Sequence, residues 1–184
     1  MRIISGKARG TKLYTLEGDN TRPTLDRVKE SIFNIIQQEI QETIFLDLFS
    51  GSGSIGLEAI SRGAKKAILC DKSHLAINII KKNVEKTKFE NQTLILEIDY
   101  EKALKTIKEK VDFIYLDPPY KTDFVSNAIK LIIDNKIIHE NTKIIIETDE
   151  KERIYKEISN LNLEILDERK YGRAYIIFAK VTSA

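Results

Sequence analysis

The chain has 184 residues, of which 42% are apolar and 32% charged, and a formal net charge of +2. That length suits a single globular domain with a real core, and the composition excludes disordered and fibrous chains. No apolar run approaches the roughly 20 residues of a membrane helix, and the N-terminus begins with the strand-like RIIS rather than a signal peptide, so a cytoplasmic protein without membrane contact is expected.

The first 16 residues hold Arg2, Lys7, Arg9 and Lys12 and no acid, a positive arm that phosphates can use and that could equally be a solvated basic hairpin. RIISG and TKLYTL, separated by a glycine-containing turn, predict an N-terminal hairpin within residues 1–22. From Thr24 the spacing of Leu25, Val28, Ile32, Ile35 and Ile36 is helical, with Pro23 and Thr24 as the start signal.

A regular alternation follows. IFLDLF (44–49) predicts a strand, then a glycine turn and a helix over 55–62; KAILCD (66–71) is the next strand. The helix over 73–86 is expected to bury Leu75, Ile79, Ile80 and Val84. TLILEI (93–98), a helix around 100–109, DFIYLD (112–117), a helix around 123–134, KIIIET (143–148) and a helix around 150–159 continue the pattern. Uniformly apolar strands alternating with helices predict an α/β fold with a mostly parallel sheet covered on both faces. LEILDERKYG and RAYIIFAK, joined by a short turn, predict a closing antiparallel hairpin. Cys70, the one cysteine, lies in an apolar run and is expected to be buried.

Open sheets of this kind bind ligands outside the carboxyl ends of their strands. Asp47, Asp71, Asp99 and Asp117 all fall at such ends. Gly51, Gly53 and Gly56 in GSGSIG satisfy a dinucleotide-type glycine pattern, and Asp71 lies twenty residues beyond Gly51, where an acid can grip a ribose. The pattern serves several adenosine cofactors, and Asp47 discriminates among them. A carboxylate beside the turn repels a pyrophosphate but suits S-adenosylmethionine, which carries an ammonium and a sulfonium. Asp71 would then accept from the ribose hydroxyls and Asp99 contact the adenine amino group. Phe49, Lys72 and Tyr100 complete the expected cofactor contacts.

IYLDPPYK (114–121) is an unusual strand end. An exocyclic amino group on a nucleobase is a poor nucleophile because its lone pair is delocalised into the ring. Acceptors beside its N–H bonds favour a pyramidal nitrogen whose lone pair can point at a methyl group. Asp117 supplies one acceptor and the Pro118 carbonyl the other, while Pro118 and Pro119 fix φ and bring no competing N–H. Tyr120 offers a face on which a flipped base can stack, worth about 1 to 3 kcal/mol. The chemistry requires no metal, and His74 and His139 fit no ligand spacing and are expected at the surface.

These stretches together resemble the bacterial methyltransferases that modify the N2 amino group of a guanine in 16S ribosomal RNA. The resemblance runs through MRIISGKARGTKL, TRPTLDRVKESIFNII, LDLFSGSGSIGLEAISRGAKKA, FIYLDPPY and KYGRAYIIF. DPPY by itself is shared with adenine-N6 and cytosine-N4 methyltransferases, which remain the alternative. The resemblance implies a class I (Rossmann-like) sheet of seven strands with the last antiparallel, and S-adenosylmethionine as donor. It implies an RNA-holding N-terminal extension to which Arg2, Lys7 and Arg9 belong. The modest net charge fits ribosomal RNA presented within a 30S particle or assembly intermediate, and a monomer is expected. Arg22, Thr24 and Arg27 match the family's TRPT-DR segment and would sit over the cofactor pocket or the entering RNA. EIDY around Asp99 departs from the family's usual Gly-Asp-Ala. A nicotinamide dehydrogenase is disfavoured by Asp47, and a non-catalytic RNA-binding protein by the intact 117–120 segment.

Overall fold

The computed structural model describes residues 1–17, 23–119 and 122–182, with the backbone alone at 23 and 24. Parallel strands β1 (Ile44–Asp47), β2 (Lys66–Cys70), β3 (Thr93–Leu96), β4 (Val111–Leu116) and β5 (Ile138–Thr148) alternate with helices α2 (Ser54–Ser61), α3 (His74–Thr87), α4 (Tyr100–Thr106) and α5 (Phe124–Asp134). Helix α1 (Pro23–Ile36) precedes them, and α6 (Lys151–Ile158), β6 (Leu163–Tyr171) and β7 (Ala174–Val181) close the chain. The seven strands form one sheet in the order β3-β2-β1-β4-β5-β7-β6. Strand β7 inserts antiparallel between β5 and β6, as the closing hairpin predicts.

Side-chain alternation along the strands sends apolar groups to both faces. One face packs Phe45, Phe113, Ile145 and Phe178 against Val28, Ile32, Phe33 and Ile36 of α1. The same side continues over β2, where Ala67 and Leu69 meet Leu57 and Ile60 of α2 and Ile77, Ile80 and Val84 of α3. The opposite face packs Leu46, Ile68, Ile114 and Ile146 against Leu104 of α4, Ile129 and Ile132 of α5 and Ile154 of α6. Strand β1 has its sequential neighbour β2 on one side and β4 on the other. Strand order therefore reverses there, and a crevice opens at the carboxyl ends of β1 and β4.

Several expectations are corrected. Helix α3 buries Ala76, Ile77, Ile80, Asn83, Val84 and Thr87, whereas Leu75 is 71% exposed and Ile79 half-buried. The inward stripe is rotated because Asn83 and Thr87, polar in sequence, have backbone partners inside. In α1, Phe33 is buried and Leu25 and Ile35 are exposed. Strand β5 begins at Ile138, not Lys143, because its polar start still pairs with Val111 before a register shift. Among the described residues the N-terminal pairing reduces to one antiparallel bridge, Arg2 with Lys12, and Ile3 and Leu13 anchor it in the cluster of α2 and α3. The outer edge strand β6 carries Glu164, Asp167, Glu168, Arg169 and Lys170, charges that discourage pairing with another chain.

Candidate active site

Strand β1 ends at Asp47, buried beside its register partners Leu69 and Tyr115. The chain then turns through Gly51 (φ 56°) and Gly53 (φ 80°), left-handed conformations that glycine adopts without steric cost, and Gly53 caps the start of α2. A side chain at Gly51 would meet nothing within 4 Å, so this turn presents bare backbone to the crevice. Asp71, just past β2, holds the turn: its Oδ2 accepts from Gly51 N at 3.0 Å and its Oδ1 from Ser73 N at 2.9 Å. Asp99 is the N-cap of α4, accepting from Lys102 N at 3.0 Å.

The crevice has a volume of about 1510 Å³. Its walls bring together Asp47, Phe49, Gly51, Asp71, Lys72, Asp99, Tyr100, Asp117, Pro118 and Pro119. Gly53 is not in the wall; it lies behind the turn, with its Cβ direction 3.2 Å from Leu69. The side chains of Arg2, Lys7, Arg9 and Arg27 are exposed and outside the walls, and Arg2 lies 4.0 Å from Asp26, which is in them. Tyr120 and Arg22 lie outside the described residues, and of Thr24 only the backbone is described.

Asp47 is 1% exposed and its Oδ1 has no hydrogen-bond partner among the described residues. Burial, then the Asp71 charge, push its carboxyl up to about 8, against backbone hydrogen bonds from Phe49 and Gly56 that pull it down. A buried carboxyl of this kind at the floor of an open crevice is the environment a cationic ligand relieves. Phe49, Tyr100 and Phe124 form an aromatic wall of the crevice, with Phe49 and Phe124 stacked at 6.1 Å and Tyr100 5.0 Å from Phe124. Acid at the turn, bare glycine backbone and an aromatic side wall fit an adenosine cofactor carrying positive charge. Cys70, buried beneath, has its thiol pushed up to about 12 by burial.

Residues not anticipated from sequence complete the site. Tyr115 and Glu147 both line it, and the Tyr115 hydroxyl donates to Glu147 Oε2. Arg173, at the β6–β7 turn, and Lys29, on α1, line it too. Lys29 is 3% exposed and donates to Ser54 Oγ at 2.9 Å, and burial lowers its ammonium despite the Glu58 carboxylate 3.5 Å away. Asn83 Nδ2 donates to Ser52 O at 2.8 Å and Tyr14 O at 2.9 Å, tying the glycine turn to the N-terminal arm. A strand ending in Glu (KIIIET) was a legible sign for Glu147; Lys29 and Asn83 offered none.

Residues 1–180 match the family described as conserved hypothetical protein 95. The ribosomal RNA small subunit methyltransferase D of Haemophilus influenzae is 34% identical over 177 residues, covering 94% of this chain and 89% of that protein. Its Escherichia coli counterpart of the same name is 32% identical over 152 residues, covering 81% of this chain and 75% of that protein. A solved Escherichia coli chain named as a methyltransferase superposes with a TM-score of 0.81 at 26% identity, covering 100% of this chain and 99% of that one. With its class I methyltransferase sheet, its glycine turn and a family match along nearly its whole length, the chain belongs to the conserved hypothetical protein 95 family, that of small-subunit ribosomal RNA methyltransferase D.

Proposed function

We propose that this protein transfers a methyl group from S-adenosylmethionine to the exocyclic N2 amino group of a guanine in small-subunit ribosomal RNA. The observation that carries the reading is that Asp117, Pro118 and Pro119 share one crevice with Asp47 and the glycine turn, so donor and acceptor amine can meet. The relatives' names support ribosomal RNA as substrate, and the resemblance in sequence supports guanine N2. S-adenosylmethionine, when bound, supplies a methyl group activated on its sulfonium.

The chain's own residues supply position. Asp47, Gly51 and Asp71 would hold the donor's charged end and ribose, with Lys72, Asp99, Tyr100 and Phe49 around the adenine. Asp117 and the Pro118 carbonyl would accept the two amino N–H bonds, keep the nitrogen pyramidal and direct its lone pair toward the donor. Asp117 is then the nearest base for the proton that methylation releases. Orientation of two bound reactants, rather than a covalent enzyme intermediate, supplies most of the rate. Arg2, Lys7, Arg9 and Arg27, outside the crevice walls, would hold the RNA, with Arg22 and Thr24 as further RNA contacts, and Tyr120 would stack on the base.

The test supplies labelled donor with 30S particles, naked 16S RNA or DNA, followed by identification of the labelled nucleoside. N2-methylguanosine from RNA is expected. Label in N6-methyladenosine or N4-methylcytidine removes the guanine assignment, and label in DNA alone removes the RNA assignment. Asp117→Ala is expected to lower turnover at least about 100-fold while donor affinity stays within a few-fold, as for a group acting in the transition state; a variant losing mainly donor affinity would contradict the role.

A further inference from the structure

Glu147 stands at the carboxyl end of β5, next to β4 in the sheet. The parallel register pairs Tyr115 with Ile145 and Leu116 with Ile146, so the next step along the two strands is Asp117 beside Glu147. Adjacent strands are about 4.8 Å apart. Both residues line the crevice. The Tyr115 hydroxyl donates to Glu147 Oε2 and pins the carboxyl group. Tyr115 is 3% exposed, so the pin is shielded from water.

The three amine-bearing bases differ at the ring nitrogen next to the amine. In guanine that nitrogen, N1, carries a hydrogen and donates; in adenine (N1) and cytosine (N3) it is a lone pair and accepts. Guanine's amine is flanked by N1–H and by N3, so a carboxylate placed on its N1 side pairs with guanine and repels the other two bases. We propose that Glu147 selects the base: its carboxylate, oriented by Tyr115, accepts the N1–H of the target guanine while Asp117 engages N2. This inference rests on the guanine-N2 reading above and adds the residue that enforces it. Glu147 is a specificity residue that touches substrate; Tyr115 is a positioning residue acting through it.

The test replaces the modified guanine, once mapped, by 2-aminopurine, which keeps the 2-amino group and turns N1 into an acceptor. The RNA is built by ligation of 16S fragments and assembled into 30S particles. The wild-type protein is expected to prefer guanine on the order of 10- to 100-fold in kcat/KM. Glu147→Gln, whose amide can donate to N1, is expected to lower activity on guanine and to shrink or invert that ratio. Glu147→Asp, which keeps an acceptor, is expected to retain the preference at a lower rate. Equal loss on both bases in Glu147→Gln would make the residue merely structural and overturn the proposal. So would a wild-type protein indifferent to the two bases, a result that decides the matter even if the variants fail to fold. Label recovered from the wild-type protein in adenosine or cytidine overturns the function and this inference together. N2-methylguanosine with an unchanged ratio overturns the inference alone.

Discussion

Burial and the charge of Asp71 raise the Asp47 carboxyl from an ordinary 3.8 to about 8 in the folded protein. Below pH 3.8 it is protonated in both folded and unfolded chains, and folding is indifferent to it. As pH rises toward 8 the unfolded chain releases the proton freely and the folded one does not, so the stability of the free protein falls across that window. Glu147, also raised by burial, adds in the same direction. Asp47→Asn removes the Asp47 part: its melting temperature at pH 8 is expected to exceed the wild-type value, by about 2 to 4 °C per kcal/mol relieved, with the gap closing near pH 4. The cationic donor favours the ionised form. Donor binding near pH 7 is therefore expected to release close to one proton, measurable by calorimetry in buffers of different ionisation enthalpy, and Asp47→Asn to release almost none and bind more weakly. Proton uptake instead of release would show that Asp47 does not face the donor's charge.

Elements meet through a second buried carboxylate. Glu58 of α2 is fully buried and accepts from Ile4 N at 2.9 Å, Ser5 N at 3.1 Å and Arg62 Nε at 2.8 Å, with Lys29 3.5 Å away. Ser61 Oγ, one turn on, donates to Ser5 O at 2.6 Å and accepts from Ala8 N at 2.9 Å. The arm is thus clamped along α2 by its backbone, which leaves the side chains of Lys7 and Arg9 exposed. Gly6 sits at φ 86°, with its Cβ direction 1.8 Å from the Ser61 carbonyl oxygen. Gly6→Ala is expected to lift the arm, reducing RNA-dependent activity while donor affinity changes little. Glu58→Ala leaves Lys29 buried with only the Asp26 counter-charge near it among the described residues and is expected to destabilise the fold by about 3 to 5 kcal/mol in denaturant titration. A loss under about 1 kcal/mol would mean that water reaches the clamp.

For the molecule as a whole, a net charge of +2 provides little general attraction to RNA, so the basic arm has to supply a large share of it. Binding of 16S RNA is expected to weaken linearly with log salt. The double variant Lys7→Ala with Arg9→Ala should reduce the slope by about 0.7 to 0.9 for each phosphate that the arm no longer neutralises. An unchanged slope would move the RNA face away from the arm. None of the helices among the described residues is long and apolar enough to cross a membrane.

Local patterns carried the strands, the glycine turn and the Asp117–Pro119 corner into view, because each is a run of neighbouring residues whose backbone and alternation set its own conformation. The acids at strand ends were legible for the same reason, since a parallel α/β sheet places every such end on one rim. Asn83 bonded to Tyr14, Glu58 bonded to Ile4, and Glu147 bonded to Tyr115 were not, because their partners lie 69, 54 and 32 residues away and only packing chooses among possible partners. The rotated face of α3 has the same cause: a polar residue turns inward once the fold provides donors and acceptors for it, and hydrophobic periodicity cannot foresee that. The kind of chemistry was thus written along the chain, whereas the buried charges that tune it exist only where distant segments have excluded water together.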